Sequence, residues 1–396
     1  MKTNWQTKKL SDVCFFQEGP GIRKYEYKKN GYPIINVRCV QDGYIDLSNA
    51  QAVDPKFIKE KWTHFQVEEG DILFTTSGTI GRTAMATKDD LPLLMNTSVV
   101  RFKSLDEKEL GRYFLAWLLR SPKFIEEVKS YSSGTAQKNV GPTHLKLISI
   151  SYPPLSEQKR IVKILDEAFG KIEKAKENAE KNLKNSKELF ESYLESVFEN
   201  PGKNWEGKRI SEVCELKSGT TISTKLERKS GDVLYTKIAD MNLPENLIEM
   251  KTSSRFVNSN EIKKNQIIPE GAVIFPKRGG AIATNKKRRI VKPTIVDLNT
   301  MAIIPSKKID EDYFFHWFQL INLSKISNGT TIAQINNYSF DEVYIPYPVS
   351  LSEQKVIVKK LDALSEQTKK LEKIYKGKLA DLEELKKSML NKAFSG

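Results

Sequence analysis

Two stretches of the chain, residues 156–199 and 352–394, carry apolar residues at alternating spacings of four and three. Both lack proline and are rich in Lys, Glu, Leu and Ala, which are good helix formers. A seven-residue apolar repeat sustained over this length is typical of a left-handed coiled-coil seam. The positions predicted to form the seam are Ile161, Leu165, Ile172, Ile357, Leu361, Leu364, Leu371, Leu382 and Leu385.

Each stretch also begins with the signals of a helix start. Ser156 and Ser352 stand at favoured N-cap positions, and each is followed by a glutamate that suits the first turn. At 1.5 Å per residue, roughly 40 residues span about 60 Å. The first helix leads from one half of the chain to the other and the second can run back, so we expect an antiparallel pair with a domain at each end. The alternative is that each helix folds onto its own domain.

The chain is a direct duplication, with landmarks in the same order at an offset close to 200 residues. The matched segments are WQTKKLSDVC (5–14) with WEGKRISEVC (205–214), GDILFTTSG (70–78) with GAVIFPKRG (271–279), YFLAWLL (113–119) with YFFHWFQ (313–319), and LSEQKRIVKILD (155–166) with LSEQKVIVKKLD (351–362). We therefore predict an α+β fold. Two pseudo-repeated mixed α/β domains, at 1–152 and 201–348, are separated by two long antiparallel coiled-coil helices at 153–200 and 349–396, with pseudo-two-fold symmetry.

The composition fits a globular protein, since 39% of the 396 residues are hydrophobic and 9% are aromatic. No apolar run approaches membrane-spanning length, and the N-terminus lacks the apolar stretch of a signal peptide. We therefore expect a cytoplasmic protein that does not bind a membrane. The three cysteines lack metal-ligand spacing and the three histidines are scattered, so no metal site is expected.

The net charge of +14 is carried mainly by the two predicted domains. Residues 1–155 have a net charge of +5 and residues 200–351 of +6, while 156–199 carry −1 and 352–396 carry +4. Phosphates attract basic proteins without regard to sequence. This distribution suits two modules that contact DNA, joined by a spacer of lower charge.

Glycine-rich loops follow an apolar strand in each half, TTSGTIGR at 75–82 and PKRGGAIATNKKRR at 276–289. Glycines let backbone N–H groups approach phosphate, hydroxyls can donate to it, and arginine can pair with guanine. The candidate DNA-binding residues are Ser77, Thr79, Arg82, Lys277 and Arg278, with the basic run Lys286, Lys287, Arg288 and Arg289 predicted to contact phosphate. The alternative is that these loops are tight hairpin turns with a solvated, charged tip.

A second candidate loop precedes each helical stretch, SSGTAQKN at 132–139 and SNGTTIAQIN at 327–336. Gln137, Lys138 and Gln334 are its candidate DNA contacts, as adenine readers or as clamps on the DNA backbone. An element shared by both halves fits phosphate contact or architecture better than the reading of two different sequences. Residues 23–60 and 223–262, which differ most between the halves, are the better candidates for base readout.

The sequence lacks the motifs of common catalytic sites, including HExxH, GxSxG and GxGxxG. SGTIG also lacks the Gly-Lys-Ser/Thr ending of a nucleotide-binding loop. We therefore expect no catalytic residues and no cofactor bound by this chain.

The duplicated LSEQK-IVK-LD box, the GDILF…SGTIG segment and the GT…Q element together resemble the specificity subunits of type I restriction-modification systems. The resemblance covers essentially the whole chain. It implies two target recognition domains, each reading one half of a bipartite, gapped site in double-stranded DNA. The helices would set the gap and dock two methyltransferase subunits, which carry S-adenosylmethionine. Two restriction subunits that use ATP and Mg can join such complexes.

Two other interpretations stay open at this point. The chain could be the specificity subunit of a type IIB- or IIG-like system, which uses similar recognition domains. It could also be a coiled-coil scaffold that binds only proteins. The salt dependence of DNA binding separates the scaffold from the other two, because phosphate contacts weaken as salt rises.

Overall fold

The computed structural model describes residues 4–131, 140–329 and 332–395. It divides into two compact units. Unit 1 consists of residues 1–180 and 376–396, and unit 2 consists of residues 181–375. Each unit therefore contains one globular domain and part of both long helices, and each is described by itself below.

Unit 1 contains ten strands and five complete helices among its described residues, besides short 3₁₀ and π turns. The strands are β1 (Gln6–Lys9), β2 (Cys14–Glu18), β3 (Tyr27–Lys28), β4 (Tyr32–Ile35), β5 (Gln51–Val53), β6 (Ile72–Thr75), β7 (Thr83–Met85), β8 (Leu94–Met95), β9 (Val99–Ser104) and β10 (Ser149–Tyr152). The helices are α1 (Leu10–Val13), α2 (Pro55–Phe57), α3 (Arg112–Leu119), α4 (Pro122–Ser130) and α5 (Pro142–Leu145). The long helix α6 (Leu155–Glu199) starts in this unit.

Unit 1 is built on two four-stranded sheets, ordered β2-β9-β6-β7 and β3-β5-β4-β8, with β1 paired to β10 beside them. The strands of the first sheet are antiparallel, and Ile72 lies opposite both Phe102 and Met85. The main core packs this sheet against α3, α4 and α6. A smaller core around Ile34 and Trp62 lies on the second sheet.

Unit 2 repeats this plan with ten strands and three complete helices among its described residues. The strands are β11 (Trp205–Arg209), β12 (Cys214–Ser218), β13 (Val233–Thr236), β14 (Glu249–Met250), β15 (Phe256–Val257), β16 (Val273–Pro276), β17 (Arg288–Ile290), β18 (Thr294–Val296), β19 (Thr300–Pro305) and β20 (Tyr344–Pro348). The helices are α7 (Ile210–Val213), α8 (Glu311–Gln319) and α9 (Leu323–Ile326), and α10 (Leu351–Phe394) starts here. The main sheet has the order β12-β19-β16-β17-β14.

Both long helices take part in the core of each unit. In unit 1, Leu390 and Phe394 at the end of α10 join the main core, and the Phe394 ring lies 5.4 Å from that of Phe114. In unit 2, Leu194 and Phe198 at the end of α6 fill the corresponding place. The predicted fold class, two mixed domains with two long helices, is confirmed.

The two helices run antiparallel within unit 1. Lys386 of α10 pairs with Glu173 of α6, and Lys176 of α6 lies 3.5 Å from Glu383 of α10. Residue numbers therefore rise along α6 in the direction in which they fall along α10. In unit 2, the end of α6 packs in one core with Val358 and Leu361, from the start of α10.

A buried glutamine ties the start of each long helix to its domain. Gln158 Nε2 donates to the carbonyls of Glu109 and Pro153 at 2.8 and 2.9 Å, and its Oε1 accepts from the N–H of Gly111 at 2.9 Å. Gln354 makes the same three bonds in unit 2, at 3.0, 2.8 and 2.7 Å. These bonds give the glutamine of the LSEQK box a structural role, because every polar atom of its amide group has a partner.

The aspartate that ends the same box also has a matched role. Asp166 accepts a hydrogen bond from Trp117 Nε1 at 2.8 Å, and Asp362 lies 2.8 Å from His316 Nε2. Burial lowers the pKa of His316 more than its hydrogen bond with Asp362 raises it. The neutral side chain of His316 in unit 2 therefore takes the position that the Trp117 indole has in unit 1.

These contacts correct the pairing of YFLAWLL with YFFHWFQ. Trp5 stacks edge-on against Phe114, whereas Trp205 stacks edge-on against Tyr313, so Phe114 corresponds to Tyr313. The alignment of Tyr113 with Tyr313 is therefore wrong by one residue. Trp117 corresponds to His316, as the shared aspartate contact also requires.

Burial along the helices follows the predicted seam at first and then departs from it. Buried or half-buried positions of the seam are Ile161, Leu165, Ile172, Ile357, Leu361, Leu364 and Leu382. Leu371 and Leu385 differ, with 37% and 46% of their surface exposed. A helix with 3.6 residues per turn drifts by about 20° per heptad from a strict repeat of seven, so later in the helix the following residue turns inward.

All three cysteines are free and buried. Burial raises the pKa of Cys14 and Cys214 to about 12, so neither thiol ionises near neutral pH. Among the described residues, no helix is both long enough and apolar enough to cross a membrane.

Candidate DNA interface

Several loops of unit 1 leave its sheets at the same end. β2 and β6 end where β9 begins, because β9 is antiparallel to both. The loops are joined by backbone hydrogen bonds from Gly19 N to Val99 O at 3.3 Å and from Thr76 N to Ser98 O at 3.0 Å. We call residues 19–26, 36–46, 76–82 and 96–98 loop edge 1.

The SGTIG segment of loop edge 1 is a tightly folded turn. Thr75 Oγ1 donates to the carbonyl of Thr79 at 2.5 Å and accepts from the N–H of Arg82 at 3.0 Å. Gly78 and Gly81 have φ angles of +65° and +105°, which side chains disfavour. The glycines therefore serve the turn itself.

The first three candidates lie together on this turn but differ in accessibility. Ser77 is buried, Thr79 is exposed and Arg82 is half-exposed. Thr79 and Arg82 are therefore the more accessible of the three to a partner outside the protein, and Ser77 is the least accessible.

Unit 2 has a corresponding loop edge 2, formed by residues 219–228, 237–243, 277–285 and 297–299. Gly219 N donates to Thr300 O at 3.0 Å and Lys277 N donates to Asn299 O at 2.8 Å, as at loop edge 1. Lys277 Nζ donates to Ser218 Oγ at 3.0 Å, which fixes this lysine against the end of β12. Arg278 is exposed.

Gln334 lies beside this edge and is paired with Asn328 in an isolated antiparallel bridge. Its backbone exchanges hydrogen bonds with Asn328 at 2.7 and 2.8 Å, and its Nε2 donates to Asn336 Oδ1 at 3.1 Å. This segment is joined to the edge, because Gly279 N donates to Ala333 O at 2.8 Å. Gln137 and Lys138, the candidates from the other half, lie outside the described residues.

The basic run of unit 2 is divided between the surface and the interior. Lys287 and Arg288 are 3% and 8% exposed. Lys287 Nζ donates to the carbonyls of Gln319 and Ile321 at 3.1 and 2.5 Å, and Arg288 donates to the carbonyl of Met241. Burial lowers the pKa of Lys287 to about 8.

This burial weighs against phosphate contact for two of the four candidates. Lys287 and Arg288 satisfy main-chain carbonyls and so stabilise the fold. Arg289 is bound by two carboxylates, those of Glu249 and Asp312. Lys286 bonds to the side-chain oxygen of Asn242 and is half-exposed, which leaves it the most accessible cation of the run.

No single residue within 23–60 was singled out from the sequence, and the structure places three exposed cations of that region on loop edge 1, namely Arg23, Lys24 and Arg38. Arg38 lies on the turn after β4 and is exposed. The sequence signal that could have identified Arg38 is its position just after a buried strand, in a segment that differs between the two halves. Among the described residues, no group of three or more His, Cys, Asp or Glu could hold a metal ion.

Comparison with known proteins places this chain in a family. A family profile described as the type I restriction modification DNA specificity domain matches it twice, over residues 2–182 and 202–382. This chain belongs to the family of type I restriction-modification specificity subunits and carries two DNA-recognition domains. The predicted family is therefore confirmed.

Two relatives come from Methanocaldococcus jannaschii. The type I restriction enzyme MjaVIII specificity subunit is 26% identical over 420 residues, covering 99% of this chain and 92% of that protein. The MjaIX specificity subunit is 24% identical over 371 residues, covering 87% of this chain and 83% of that protein. The likeness to both extends over both halves of the chain.

Two solved structures share the fold. A chain from work on complex assembly and conformational transition of the type I R-M system has a TM-score of 0.76 at 19% identity, with 100% and 99% of the two chains covered. The HsdS subunit from Thermoanaerobacter tengcongensis has a TM-score of 0.64 at 19% identity, with 100% and 98% covered. At these identities the likeness concerns the fold alone.

Proposed function

We propose that this chain is the non-catalytic DNA reader of a type I restriction-modification enzyme, and that each recognition domain binds one half of a bipartite, gapped site through its loop edge. The observation that carries this proposal is the repetition of the loop edge. Each unit brings corresponding loops to one end of its main sheet and leaves an accessible arginine there, Arg82 in unit 1 and Arg278 in unit 2. Guanidinium groups bind phosphates and guanine edges.

In this proposal the chemistry belongs to partner subunits. Two methyltransferase subunits dock on the long helices, bind S-adenosylmethionine and methylate adenine in the site. Restriction subunits, where present, use ATP and Mg to move and cut DNA. This chain contributes the affinity and the sequence preference, and double-stranded DNA is its ligand.

The helices are proposed to set the spacing between the half-sites. Half-sites on one face of DNA recur about every 34–36 Å, and helices of 45 and 44 residues are long enough to bridge such a distance. Inserting one heptad between Glu180 and Lys181 and another between Tyr375 and Lys376 is expected to change the spacer and preserve both half-sites. A changed half-site would contradict the spacer role.

The decisive test is methylome sequencing of cells that express this chain with the methyltransferase subunit of its own system. We expect a bipartite methyladenine motif that disappears when this chain is deleted. A motif that persists without the chain would overturn the proposal. So would a stable complex that methylates no motif.

A further inference from the structure

The turn that follows β4 in unit 1 is held in one conformation by its own hydrogen bonds. Asn36 Oδ1 accepts from the N–H of Arg38 at 2.8 Å, and the carbonyl of Asn36 accepts from the N–H of Cys39 at 2.9 Å. Gln41 Nε2 donates to the carbonyl of Arg38 at 2.7 Å. The backbone at Arg38 is therefore bound on both its N–H and its carbonyl side.

The same turn is also tied to the rest of loop edge 1. Ser98 Oγ accepts from the N–H of Val37 at 3.0 Å and donates to Asn96 Oδ1 at 2.5 Å. Asn96 N donates to Ile35 O at 3.0 Å. Val37 Cγ2 lies 3.9 Å from the position that a Cβ would take on Gly78, so the turn contacts the SGTIG segment. This places Arg38 beside the elements proposed to bind phosphate.

The side chain of Arg38 is exposed, and its guanidinium has no hydrogen bond or ion pair among the described residues. Arg101 of the same unit is different, since its guanidinium is bound by Asp71, Gln17 and main-chain carbonyls. Arg38 thus presents free donors in a planar fork from a rigid turn. Such a group loses little conformational entropy of the backbone when it binds.

The second repeat lacks an arginine at this place. Asp297 N donates to Thr236 O at 3.1 Å, as Asn96 N does to Ile35 O, so Ile35 corresponds to Thr236 and Arg38 to Ala239. Phosphate contacts carry no sequence information and can be common to both domains, whereas base contacts must differ when the half-sites differ. A rigid arginine found in one domain only has the properties of a base reader.

We propose that Arg38 determines specificity by reading a guanine in the half-site of the first recognition domain, through paired hydrogen bonds to O6 and N7 in the major groove. This inference rests on the proposed function of the chain as a DNA reader. It goes beyond that function by specifying the residue that reads a base, the type of base that is read and the half-site that contains this base.

The test compares methylomes produced by the full complex carrying wild-type chain, Arg38→Ala or Arg38→Lys. We expect one guanine of one half-site to become degenerate in both variants, with roughly five- to hundred-fold lower discrimination at that base, while the other half-site and the spacer stay unchanged. Lysine keeps the positive charge of arginine but lacks the planar guanidinium group that forms paired hydrogen bonds. The Arg38→Lys variant therefore distinguishes base reading from phosphate contact.

Two further variants serve as controls. Ala239→Arg places the same side chain on the corresponding turn of unit 2 and is expected to alter the opposite half-site. Arg112→Ala removes a half-exposed arginine that is paired with Glu107 at the start of α3, outside loop edge 1 and outside the long helices, and it is expected to leave the motif intact. Thermal melting of each purified chain verifies that it folds.

The remaining outcomes separate this inference from the proposed function. An unchanged motif in both Arg38 variants overturns the inference and leaves the proposed function standing. Uniformly weaker methylation of an unchanged motif assigns Arg38 to phosphate and overturns base reading. The absence of any motif with the wild-type chain overturns the proposed function itself.

Discussion

Arg101 and Asp71 form an ion pair inside unit 1, with 3.0 Å between Nη1 and Oδ2 and with 11% and 1% of their side chains exposed. The strand registers place Ala302 and Ala272 at the corresponding positions of unit 2. The two charges are thus present together in one repeat and absent together from the other. This agrees with the strong penalty for a single buried charge.

We expect Arg101→Ala to lower the free energy of unfolding of unit 1 by roughly 3–5 kcal/mol, because Asp71 would stay buried without its cation. The double variant Asp71→Ala/Arg101→Ala, which imitates unit 2, should be less destabilised than Arg101→Ala. Urea unfolding monitored by hydrogen exchange in each unit measures both values. A double variant that is less stable than the single one would contradict this account.

The glutamines of the two LSEQK boxes provide a second prediction. Gln158→Ala and Gln354→Ala should each destabilise their own unit by roughly 1–3 kcal/mol, because each leaves a buried backbone N–H and two carbonyls without a partner. Gln367→Ala, on the exposed surface of α10, is the matched control and should have little effect. Equal stability of Gln158→Ala and Gln367→Ala would show that the clamp contributes nothing.

The aromatic residues at the two helix ends provide a reciprocal pair of variants. Phe394 contacts Phe114 in unit 1, and Phe198 lies 5.3 Å from the Tyr313 ring in unit 2. Phe394→Ala is expected to cost unit 1 about 3–5 kcal/mol, and Phe198→Ala to cost unit 2 a similar amount. Hydrogen exchange should accelerate in residues 4–131 for the first variant and in residues 205–329 for the second. The opposite pattern would contradict the division into units.

Lys287 predicts a pH dependence with a defined sign. Its pKa is lowered to about 8 in the folded chain by burial, against an ordinary value of 10.5. Between these values the unfolded chain binds more protons than the folded one, so stability rises with pH in this window. The free energy of unfolding of wild type, relative to Lys287→Met, should increase by on the order of 2–3 kcal/mol from pH 7.5 to pH 10.5. A constant difference across this range would contradict burial of the charged group.

The helices and the repeat could be predicted because their determinants are local. Periodicity and the absence of proline predicted helices at 156–199 and 352–394, and the structure has Leu155–Glu199 and Leu351–Phe394. The drift of the buried stripe at Leu371 and Leu385 could not be obtained from the strict heptad. It follows from the number of residues per turn that the packed helix adopts.

The register of the repeat was harder to predict, because Tyr-Phe pairs occur in both halves. The structural equivalence of Phe114 and Tyr313 depends on which ring meets Trp5 or Trp205, and that contact joins positions over 100 residues apart. Local sequence similarity favoured the alignment of Tyr113 with Tyr313 instead. Contacts between distant positions decide such cases, and one sequence does not reveal them.

The position of the candidate loops could be predicted from the sequence, but the burial of their charged residues could not. The SGTIG turn was correctly placed after a buried strand. The run from Lys286 to Arg289 has the appearance of a solvated patch, yet Lys287 binds carbonyls that lie 32 and 34 residues away. Those carbonyls lie at the end of α8 and two residues beyond it, and their need for a donor is a property of the fold that a basic run does not reveal.

The use of α10 to complete unit 1 has a consequence for synthesis on the ribosome. Unit 2 is one continuous segment, whereas unit 1 needs residues 376–396 beside residues 1–180. At about 5–20 residues per second, roughly 10–40 s pass between the translation of residue 180 and the translation of Phe394, whose ring completes the core of unit 1. Unit 2 is therefore fully translated before unit 1 has all of its residues. Residues 376–396 allow the first domain to complete its core only after unit 2 has been translated.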